Sequence, residues 1–546
     1  VFAAVFGPEE KAEQLDNLRS GKTACIISTS ALALGIDIGA LSCSILIGYP
    51  GSMAKAWQML GRAGRRGPGL QLFLLGNTYL DRFWEEHPEE FLDQQKHLDE
   101  LVIMPDNRYI LKEHIAAAHF DFPLNSKRDR KFFGSTFPDV LREMLEQGDW
   151  LVPGDEDPDE YFELVDGDRV FKIPLRGSGA FKVPVCLNSS DGEVILQDDQ
   201  VRAIRRLYQG ATFIHNRSFY RVTTLAYESG KENVDEQSRP FYAIVKRASG
   251  SKVTVPIIQT TINSLTDEPE EQDLGVIYAR AGRVKITTMV NQYYEVPYDP
   301  LDPPQEEVAV PQDGEPPDED GAVSEEPEHG GTKQPPRRFQ VTFGPNTPRR
   351  YAYETDGMWL VVPAEAFAGI EGDDDQYRAL FSVGKAVTRA VPLLHYCGPD
   401  DLLFTPELYH EAADGHAAIF IYEQTRGGVG LASRTFERIT ELLNNALYEV
   451  LEGCPRCRDE PESCGCLSCI ADISGLHDRR LAIRLLRRWL GEPPIDGAPS
   501  MTPEAALQSL GFDEPEEILE GGMGKVYKAR RDGQYWAFKM PGGKRM

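Results

Sequence analysis

The opening part of the chain alternates between an amphipathic stretch and short apolar runs. Apolar residues recur at helical spacing in Pro8–Ser20, which has a proline in its first turn and ends before Gly21. Two apolar runs follow, Ala24–Ser28 and Ser44–Gly48, each with the length of a buried parallel strand. This alternation of helix and strand predicts an α/β lobe.

The hydrophobic pattern changes twice farther along. Residues 105–152 are predicted to be helical, most clearly over Ile110–Phe120 and Pro138–Gln147. From about residue 161 to residue 298 the pattern shortens to alternating runs such as Phe219–Thr223 and Gly282–Thr288, with one helix near Asp199–Tyr208. The second region is therefore predicted to be a β-rich module.

Length and charge divide the chain further. Its 546 residues exceed one domain several times over, and its net charge is −28. Much of that charge lies between residues 302 and 330, where no Lys or Arg occurs: Asp302, Glu306, Glu307, Asp313, Glu315, Asp318, Glu319, Asp320, Glu325, Glu326 and Glu328. A stretch with so little to bury predicts a disordered, solvated linker.

These patterns predict the following organisation, with an α/β fold class overall. The boundaries are 1–104 for the opening α/β lobe, 105–152 for a helical module, 153–300 for a β-rich module, 301–337 for the acidic linker, 338–490 for an α/β or α+β domain with clustered cysteines, 491–511 for a second linker and 512–546 for a hairpin tail.

The cysteines and the composition of the apolar segments indicate in which cellular compartment the protein is expected. The cysteines cluster between Cys454 and Cys469, which suggests a metal site in a reducing compartment rather than a disulfide framework. The apolar region from Ala24 to Pro50 contains Asp37 and several glycines, so no membrane span is predicted. Without a secretory signal pattern either, we expect a cytoplasmic protein. Because the chain begins at Val1 in what resembles the middle of a domain, we also expect a fragment.

The most informative motifs are residues 29–39 (TSALALGIDIG) and residues 58–67 (QMLGRAGRRG). An ATP-driven motor needs cations that meet the γ-phosphate when its two lobes close. Arg62 and Arg65 are spaced three residues apart, so they can share one face, and the neighbouring glycines allow the backbone to approach a nucleotide. An Arg-rich helix exposed to solvent is the plainer alternative.

The two segments resemble motifs V and VI of superfamily 2 helicases, in the order those proteins use in their second RecA-like lobe. The resemblance implies that Arg65 is the arginine finger, that Arg62 is its partner at the phosphates, and that Gln58 takes the place where many relatives carry His. It also implies that ATP with Mg²⁺ is the cofactor. The remaining implied positions are Gly35 and Asp37 at the nucleotide and lobe interface, and Thr29 and Ser30 near the DNA backbone.

Gly21, Lys22 and Thr23 imitate the end of a phosphate-binding loop. A helix precedes them and a strand is expected to follow, whereas such a loop must leave a strand and open a helix. We interpret them as a turn. Since no other segment supplies a phosphate loop or an Asp-Glu magnesium motif, this chain by itself is not expected to hydrolyse ATP.

The resemblance narrows after motif VI. The segments that show it include residues 80–89 (LDRFWEEHPE), Asp106 and Asn107, residues 176–179 (RGSG), residues 392–394 (PLL) and residues 427–430 (GGVG), followed by the cysteines. Together they resemble DEAD/DEAH-box helicases of the mitomycin repair factor A type with their C-terminal zinc-binding domain. That likeness spans roughly residues 1–490 and implies a DNA helicase in repair, with DNA as the partner.

Two features near the end of this region leave alternatives open. The apolar run Ala417–Tyr422 and residues 427–430 precede a predicted helix from Leu431, so they form either a nucleotide-binding turn or a tight strand-to-helix turn; the incomplete glycine spacing favours the latter. The basic amphipathic helix around residues 479–489 is compatible with a DNA backbone contact or with an ordinary solvated face.

The cysteines form two C-x2-C pairs, Cys454 with Cys457 and Cys466 with Cys469. Two such pairs supply four thiolates and close a tetrahedral Zn²⁺ shell without an open position, so the site is predicted to be structural. Reduced cysteines in a loop are the alternative. Cys464 is a fifth cysteine whose role the spacing leaves open.

The tail from Leu519 to Lys539 resembles the opening hairpin of a protein kinase, with a Gly-rich loop and a third-strand lysine. Leu519 stands where the first glycine of that pattern is usual, and the catalytic motifs of a kinase do not follow. We predict no kinase activity in these residues.

The favoured hypothesis is the C-terminal part of an ATP-dependent DNA helicase with a zinc-stabilised domain. The main alternative is a zinc-containing nucleic-acid or protein interaction module without a working motor. A regulatory enzyme organised around the kinase-like tail is a third hypothesis.

Overall fold

The structure is a computed structural model. It describes residues 8–28, 41–64, 67–76, 78–92, 102–125, 127–148, 150–153, 162–173, 182–215, 218–227, 240–249, 252–297, 308–309, 338–340, 350–367, 369–398, 401–458, 463–466, 468–470, 476–492, 513–521, 524–531 and 534–540.

The N-terminal lobe contains a parallel β-α-β unit. Its elements are α1 (Pro8–Arg19), β1 (Cys43–Ile47), α2 (Met53–Leu60), β2 (Leu70–Leu74), α3 (Tyr79–Glu86) and α4 (Pro88–Leu92). Strands β1 and β2 pair in parallel with α2 between them in sequence. Leu46, Ala56, Leu60 and Trp84 are buried together, so α2 and α3 pack against the strands through their apolar faces.

The sequence predicts two of these six elements, α1 and β1. The helix expected at Pro8–Ser20 is α1, and the chain turns after it at Gly21, whose φ is 74°. Residues 21–23, which resemble the end of a phosphate-binding loop, are therefore a turn, as predicted. The run Ser44–Gly48 corresponds to β1. The strand expected at Ala24–Ser28 is wrong: only Ser28 joins a bridge, and the segment is not buried as a parallel strand would be, since Ile27 is 70% exposed.

A helical module follows. It comprises α5 (Arg108–Asp121), α6 (Arg130–Phe133), α7 (Phe137–Gln147) and the antiparallel strands β3 (Leu151–Pro153) and β4 (Phe162–Leu164). The helices expected at Ile110–Phe120 and Pro138–Gln147 are confirmed as α5 and α7. Ile115, Phe137 and Met144 are fully buried between the two helices, which is why the apolar periodicity predicted them.

The β-rich region begins with an accessory sheet, built from described strands in the order β6-β5-β9-β8-β7. Its elements are β5 (Lys182–Leu187), β6 (Val194–Asp199), α8 (Gln200–Arg206), β7 (Thr212–His215), β8 (Ser218–Tyr227) and β9 (Pro240–Ala248). The helix expected near Asp199–Tyr208 is α8, whose Ala203 packs into the buried cluster of this sheet with Leu207, just beyond the helix.

A second and larger sheet, called the central sheet below, joins eight of the described strands. They are β10 (Lys252–Ser264), β11 (Glu270–Asp273), β12 (Tyr278–Pro297), β13 (Val308–Ala309), β14 (Arg338–Gln340), β15 (Arg350–Val362), β16 (Leu402–Glu407) and β17 (Ala417–Glu423). The main order is β13-β10-β12-β15-β17-β16, with β11 and β14 also paired to β12.

The central sheet runs across the segment predicted to be a linker. Strand β12 precedes that segment and β15 follows it, yet the two pair antiparallel from Tyr278 with Val361 to Met289 with Arg350. Within the linker, Val308–Ala309 pairs with β10. All of the acidic residues between 302 and 330 lie outside the described residues. The β-rich and cysteine-containing segments therefore share one sheet.

Helices cover one face of the central sheet. They are α9 (Asp373–Ala390), α10 (Leu431–Glu437), α11 (Ile439–Asn445), a π-helical segment (Ala446–Glu452) and α12 (Arg479–Trp489). Leu360, Leu380, Ile419 and Leu447 belong to the buried cluster between sheet and helices. Because these strands pair antiparallel, the unit is α+β, one of the two arrangements that the sequence left open.

The chain passes from β17 to α10 through the Gly-rich turn, residues 424–430. The backbone N–H of Gly427 donates to the Glu354 carbonyl at 2.7 Å, and its carbonyl accepts from the Arg283 guanidinium at 2.7 Å. Arg283 also bonds Asp356 at 2.9 Å. The turn is thus fastened to β12 and β15.

The carboxylate of Glu423 occupies the start of α10. It accepts from the backbone N–H of Val429 and from that of Ala432 at 2.9 Å. A bound phosphate would need the same donors, so the structure supports the tight strand-to-helix turn over the nucleotide-binding alternative. Burial raises the pKa of Glu423 to about 7, although these N–H donors act to lower it.

The tail forms an antiparallel sheet from three described strands, β18 (Asp513–Gly521), β19 (Gly524–Arg531) and β20 (Gln534–Met540). Lys539 pairs with Val526 in its register. Among all the described helices, none combines the length and the apolar composition needed to cross a bilayer.

Replacing Gly384 with Ala is expected to destabilise the packing of α9 on the central sheet. The added Cβ would lie 2.4 Å from Phe404 Cδ2 and 3.1 Å from Ile419 Cγ2. Overpacking costs about 1–3 kcal/mol, which exceeds the gain of up to about 1 kcal/mol from better helix propensity. Urea unfolding followed by tryptophan fluorescence measures the loss. Adding Phe404→Leu should restore part of it, and a Gly384→Ala midpoint at or above wild type would contradict the packing.

Glu423 is expected to make stability fall as pH rises from 6 to 8. Its folded pKa of about 7 lies above the unfolded value of 4.5, so the folded state holds the proton more tightly and loses that advantage as pH passes the folded pKa. The contribution over this range is roughly 1 kcal/mol. In Glu423→Gln the decline in unfolding midpoint should be shallower than in wild type. Glu437→Gln, at an exposed ion pair with Arg434, is the control and should leave the slope unchanged.

Candidate functional site

The described part of the motor motif is a helix followed by a tight turn. Ser52 caps α2 by accepting from the Lys55 N–H at 3.2 Å, and Gln58 lies exposed on this helix. After Leu60 the chain turns at once, with the Arg62 N–H donating to the Met59 carbonyl at 3.4 Å. Arg62 is half-buried in this turn.

The turn is fastened to Leu41, where the described range 41–64 begins. Ala63 forms a parallel bridge with Leu41, and the Gly64 N–H donates to the Leu41 carbonyl at 3.1 Å. Leu41 follows the segment 29–39 by two positions in the sequence, and the bridge places Leu41 beside the end of the segment 58–64. A Cβ on Gly69 would lie 2.4 Å from the Gly64 nitrogen, which explains two glycines at this crossing.

Several predicted motor residues lie outside the described residues: Thr29, Ser30, Gly35, Asp37 and Arg65. Of the predicted catalytic set, the structure places Gln58 and Arg62 on and just after α2. Their assignment to ATP remains a prediction.

The cysteine pairs converge as the spacing predicts. The sulfur atoms of Cys454, Cys457, Cys466 and Cys469 all lie within 4.8 Å of one another. Sγ of Cys454 is 3.5 Å from Sγ of Cys466, and Sγ of Cys457 is 3.9 Å from Sγ of Cys469. A tetrahedral zinc with Zn–S bonds of about 2.3 Å separates its sulfurs by about 3.8 Å. The donor set and its dimensions therefore fit Zn²⁺.

Two short turns aim the sulfurs. In the first, the backbone N–H of Cys457 donates to the Cys454 carbonyl at 3.1 Å; in the second, that of Cys469 donates to the Cys466 carbonyl at 2.9 Å. The Cys466 N–H also donates to Sγ of Cys469 at 3.1 Å. Such N–H donors stabilise negative charge on sulfur, as a thiolate ligand requires.

The electrostatics of the cluster favour a thiolate. The Cys469 thiol and the backbone N–H groups of Arg456 and Cys457 act as hydrogen-bond donors and lower the pKa of Cys454 to about 5. Burial raises the pKa of Cys457 to about 11. Without a metal, a thiolate at Cys454 keeps the neighbouring thiols protonated. A cation at the centre of the cluster would favour the thiolate form of all four cysteines.

Cys464 takes no part in the cluster of sulfurs. Its side chain is exposed, while its carbonyl accepts from the Arg479 N–H at 2.8 Å at the start of α12. A side chain on Gly465 would approach Ile470 to 2.9 Å, so the chain between the fifth cysteine and Cys466 passes close to the cluster. Cys464 therefore contributes its backbone, and not its sulfur, to this part of the structure.

The metal cluster is joined to the rest of the protein by arginines. Arg82 of α3 donates to the Gly453 carbonyl, next to Cys454, and Arg389 of α9 donates to the Cys469 carbonyl. Arg479 donates to the Leu451 carbonyl at 2.9 Å. These residues have no motif spacing, and only the structure identifies them.

Asn107 joins the helical module to the Gly-rich turn. Its side-chain oxygen accepts from the N–H of Tyr109 at 3.0 Å and caps α5, while its amide donates to the Arg426 carbonyl at 3.0 Å and to the Gly428 carbonyl. The Arg426 guanidinium lies 4.0 Å from the Tyr109 ring centroid. The helical module is therefore held against the Gly-rich turn that joins the central sheet to α10.

Comparison with known protein families gives three matches along the chain. Residues 4–67 match the helicase conserved C-terminal domain, residues 103–157 match the winged helix domain of the ATP-dependent helicase HRQ1, and residues 383–470 match the MrfA Zn-binding domain. The described cysteine cluster lies at the end of the last match.

Similar proteins are ATP-dependent helicases. The chain is 26% identical over 485 residues to YprA of Bacillus subtilis, which covers 88% of this chain and 56% of the relative. It is 25% identical over 475 residues to HRQ1 of Saccharomyces cerevisiae, covering 83% of this chain and 38% of the relative. The chain thus spans about half the length, or less, of these relatives.

Among solved structures, the crystal structure of the helicase MrfA matches with a TM-score of 0.48 at 20% identity, covering 88% of this chain and 57% of that chain. MrfA bound to DNA matches with a TM-score of 0.44 at 22% identity, covering 89% and 57%. The family matches confirm the mixed α/β fold class, with a helicase lobe first and a zinc-binding domain later. They confirm as well that this chain resembles superfamily 2 helicases of the mitomycin repair factor A type.

Proposed function

We propose that the protein containing this chain is an ATP-dependent DNA helicase or translocase that acts in DNA repair. One observation carries the proposal: a helicase C-terminal match, a winged helix match and an MrfA-type zinc-binding match follow one another in a single chain. The parallel bridge of Ala63 with Leu41, two positions after the segment 29–39, supports it further.

In this proposal the motor residues act on ATP with Mg²⁺ held between two lobes. Arg65 stabilises charge on the γ-phosphate in the transition state, Arg62 assists it, and Gln58 lies beside them. Gly35 and Asp37 face the nucleotide, and Thr29 and Ser30 contact the DNA backbone. No phosphate loop occurs in the 546 residues, so hydrolysis needs the complete protein.

The segment boundaries and a cytoplasmic location belong to the same proposal. Residues 1–104 contribute part of the second motor lobe, residues 105–152 and 153–300 are accessory modules, and residues 338–490 form the zinc-binding unit, which shares the central sheet with β10, β11 and β12 of the second accessory module. A cytoplasmic location agrees with the reduced state that four zinc-binding thiolates require.

We further propose that Cys454, Cys457, Cys466 and Cys469 hold one structural Zn²⁺. The sulfur separations and the backbone donors to sulfur support this assignment. Four thiolates complete the coordination shell, so the metal would stabilise the fold and would activate no water.

Replacing Arg65 with Ala in the complete protein is expected to abolish DNA-stimulated ATP hydrolysis while leaving ATP binding largely intact. A finger acts mainly on transition-state charge, and such arginines contribute about 10³–10⁵ in rate. Arg142→Ala is the matched control. Arg142 forms an exposed ion pair with Asp139, so this variant should hydrolyse ATP at the wild-type rate. Unchanged turnover in Arg65→Ala would remove this residue from the role and favour an interaction module without motor activity.

Replacing Cys457 or Cys466 with Ser is expected to lose zinc, whereas Cys464→Ser should keep it. Binding energy at a structural site is also folding energy, so metal loss should loosen residues 450–475 and leave the motor lobe folded. Elemental analysis of the purified variants gives the zinc content, and amide exchange locates the loosening. A wild-type protein without zinc, or zinc lost from Cys464→Ser and kept in Cys466→Ser, would show that the ligand set is wrong.

A further inference from the structure

The segment from the end of α5 to α6 exposes large aromatic rings. Phe122 is 64% exposed and Phe132 is 72% exposed. Leaving a Phe side chain in water rather than burying it forgoes about 1.5–3 kcal/mol. Two such rings close together in sequence therefore suggest a surface that another molecule covers.

Cations accompany both rings. The Arg128 guanidinium lies 5.3 Å from the Phe122 ring centroid, and the Lys131 ammonium lies 4.8 Å from that of Phe132. Arg128 is fixed in place because it also donates to the Asp129 carboxylate at 2.7 Å and to the Pro123 carbonyl at 2.8 Å. Each ring thus has a positive charge beside it.

The local charge is opposite to that of the whole chain. Residues 120–133 contain four cations, Lys127, Arg128, Arg130 and Lys131, against the carboxylates of Asp121 and Asp129, while the chain has a net charge of −28. The Asp129 carboxylate is bonded to Arg128, whose hydrogen bonds lower the pKa of Asp129. A positive island in an acidic protein fits a polyanion.

A further aromatic pair lies at the end of α5. Phe120 packs edge-on against Phe171 with ring centroids 5.2 Å apart, and Phe171 is 74% exposed. Phe171 belongs to a 3₁₀ helix, Gly167–Lys172, after β4. The end of α5 thus has an exposed aromatic pair in addition to the rings of the α5–α6 segment.

Exposed rings with adjacent cations match one ligand chemistry in particular. The bases of a single strand present π-faces that stack on aromatic side chains, and the phosphates between them pair with Lys and Arg. In a duplex the base faces are already stacked on each other, so the rings would gain little. A purely apolar protein partner would bury the same rings at the cost of desolvating the cations.

We propose that Phe122 and Phe132, with Lys127, Arg128, Arg130 and Lys131, form a stacking surface for single-stranded DNA. This inference rests on the proposed function, since it names where the separated strand binds. Phe122 and Phe132 stack bases, and the cations hold the phosphates between them.

The test uses the full chain and fluorescence anisotropy with two labelled probes, single-stranded oligothymidylate and an abasic deoxyribose-phosphate strand of equal length. Phe122→Ala and Phe132→Ala should each weaken oligothymidylate binding by about 5- to 150-fold, since stacking contributes about 1–3 kcal/mol per base. Neither change should affect the abasic strand. Tyr409→Ala is the matched control, because Tyr409 is also 72% exposed and lies outside this segment.

Charge is tested separately. Arg130→Glu and Lys131→Glu should weaken both probes and reduce the salt dependence, whereas Lys131→Arg should retain binding. All these side chains are exposed, so the variants are expected to remain folded, which their thermal midpoints verify.

Three outcomes would overturn the inference. If both Phe variants bind oligothymidylate as wild type does, or if wild type binds the abasic strand equally well, the rings do not stack bases, and the helicase proposal stands. If wild type binds neither probe, the surface has another partner, and ATPase and unwinding assays of the complete protein then decide the proposed function independently.

Discussion

The pairing of β12 with β15 is the constraint on which the rest of the structure depends. These strands lie on opposite sides of the acidic segment and still form a continuous antiparallel ladder from Tyr278 with Val361 to Met289 with Arg350. Ala279 and Leu360 contribute to the core under the helices, while Ile286 and Tyr353 contribute to the opposite face. Since the ladder fixes both cores at once, long acidic insertions between the strands are tolerated at a small additional entropic cost.

Two polar contacts extend this frame to the neighbouring units. Asn107 caps α5 and bonds the backbone of the Gly-rich turn, which Arg283 and Glu423 fasten to the central sheet. Arg82 of α3 bonds the carbonyl of Gly453, and Tyr79 of the same helix packs against the core around α9. The N-terminal lobe is therefore bonded through α3 to the backbone beside the cysteine cluster.

The sequence predicts elements better than it predicts their partners. Apolar periodicity identifies α5 and α7 because each helix buries one face, and cysteine spacing identifies the cluster because metal geometry is local. The pairing of β12 with β15 is not predictable in this way, since strand partners far apart in sequence leave no mark on local periodicity. Ala24–Ser28 has the apolar run of a strand without forming one, because an apolar run does not specify a ladder partner. The sequence does not identify Phe122 and Phe132 as surface residues, because exposed and buried phenylalanines give the same apolar signal.

A bound zinc would stabilise the part of this unit that has the least regular secondary structure. Between Gly453 and Asp478 the described residues contain no helix or strand, although Cys454, Cys469 and Ile470 are buried there. Elsewhere in this unit β17 and α9 satisfy their backbone groups by ladders and helical bonds, which also fix the side chains that pack together. This segment has short turns and arginine contacts to carbonyls instead. Four metal–thiolate bonds would supply the missing long-range constraint, joining the two turns to each other and, through Arg82, holding α3 of the motor lobe against the π-helical segment.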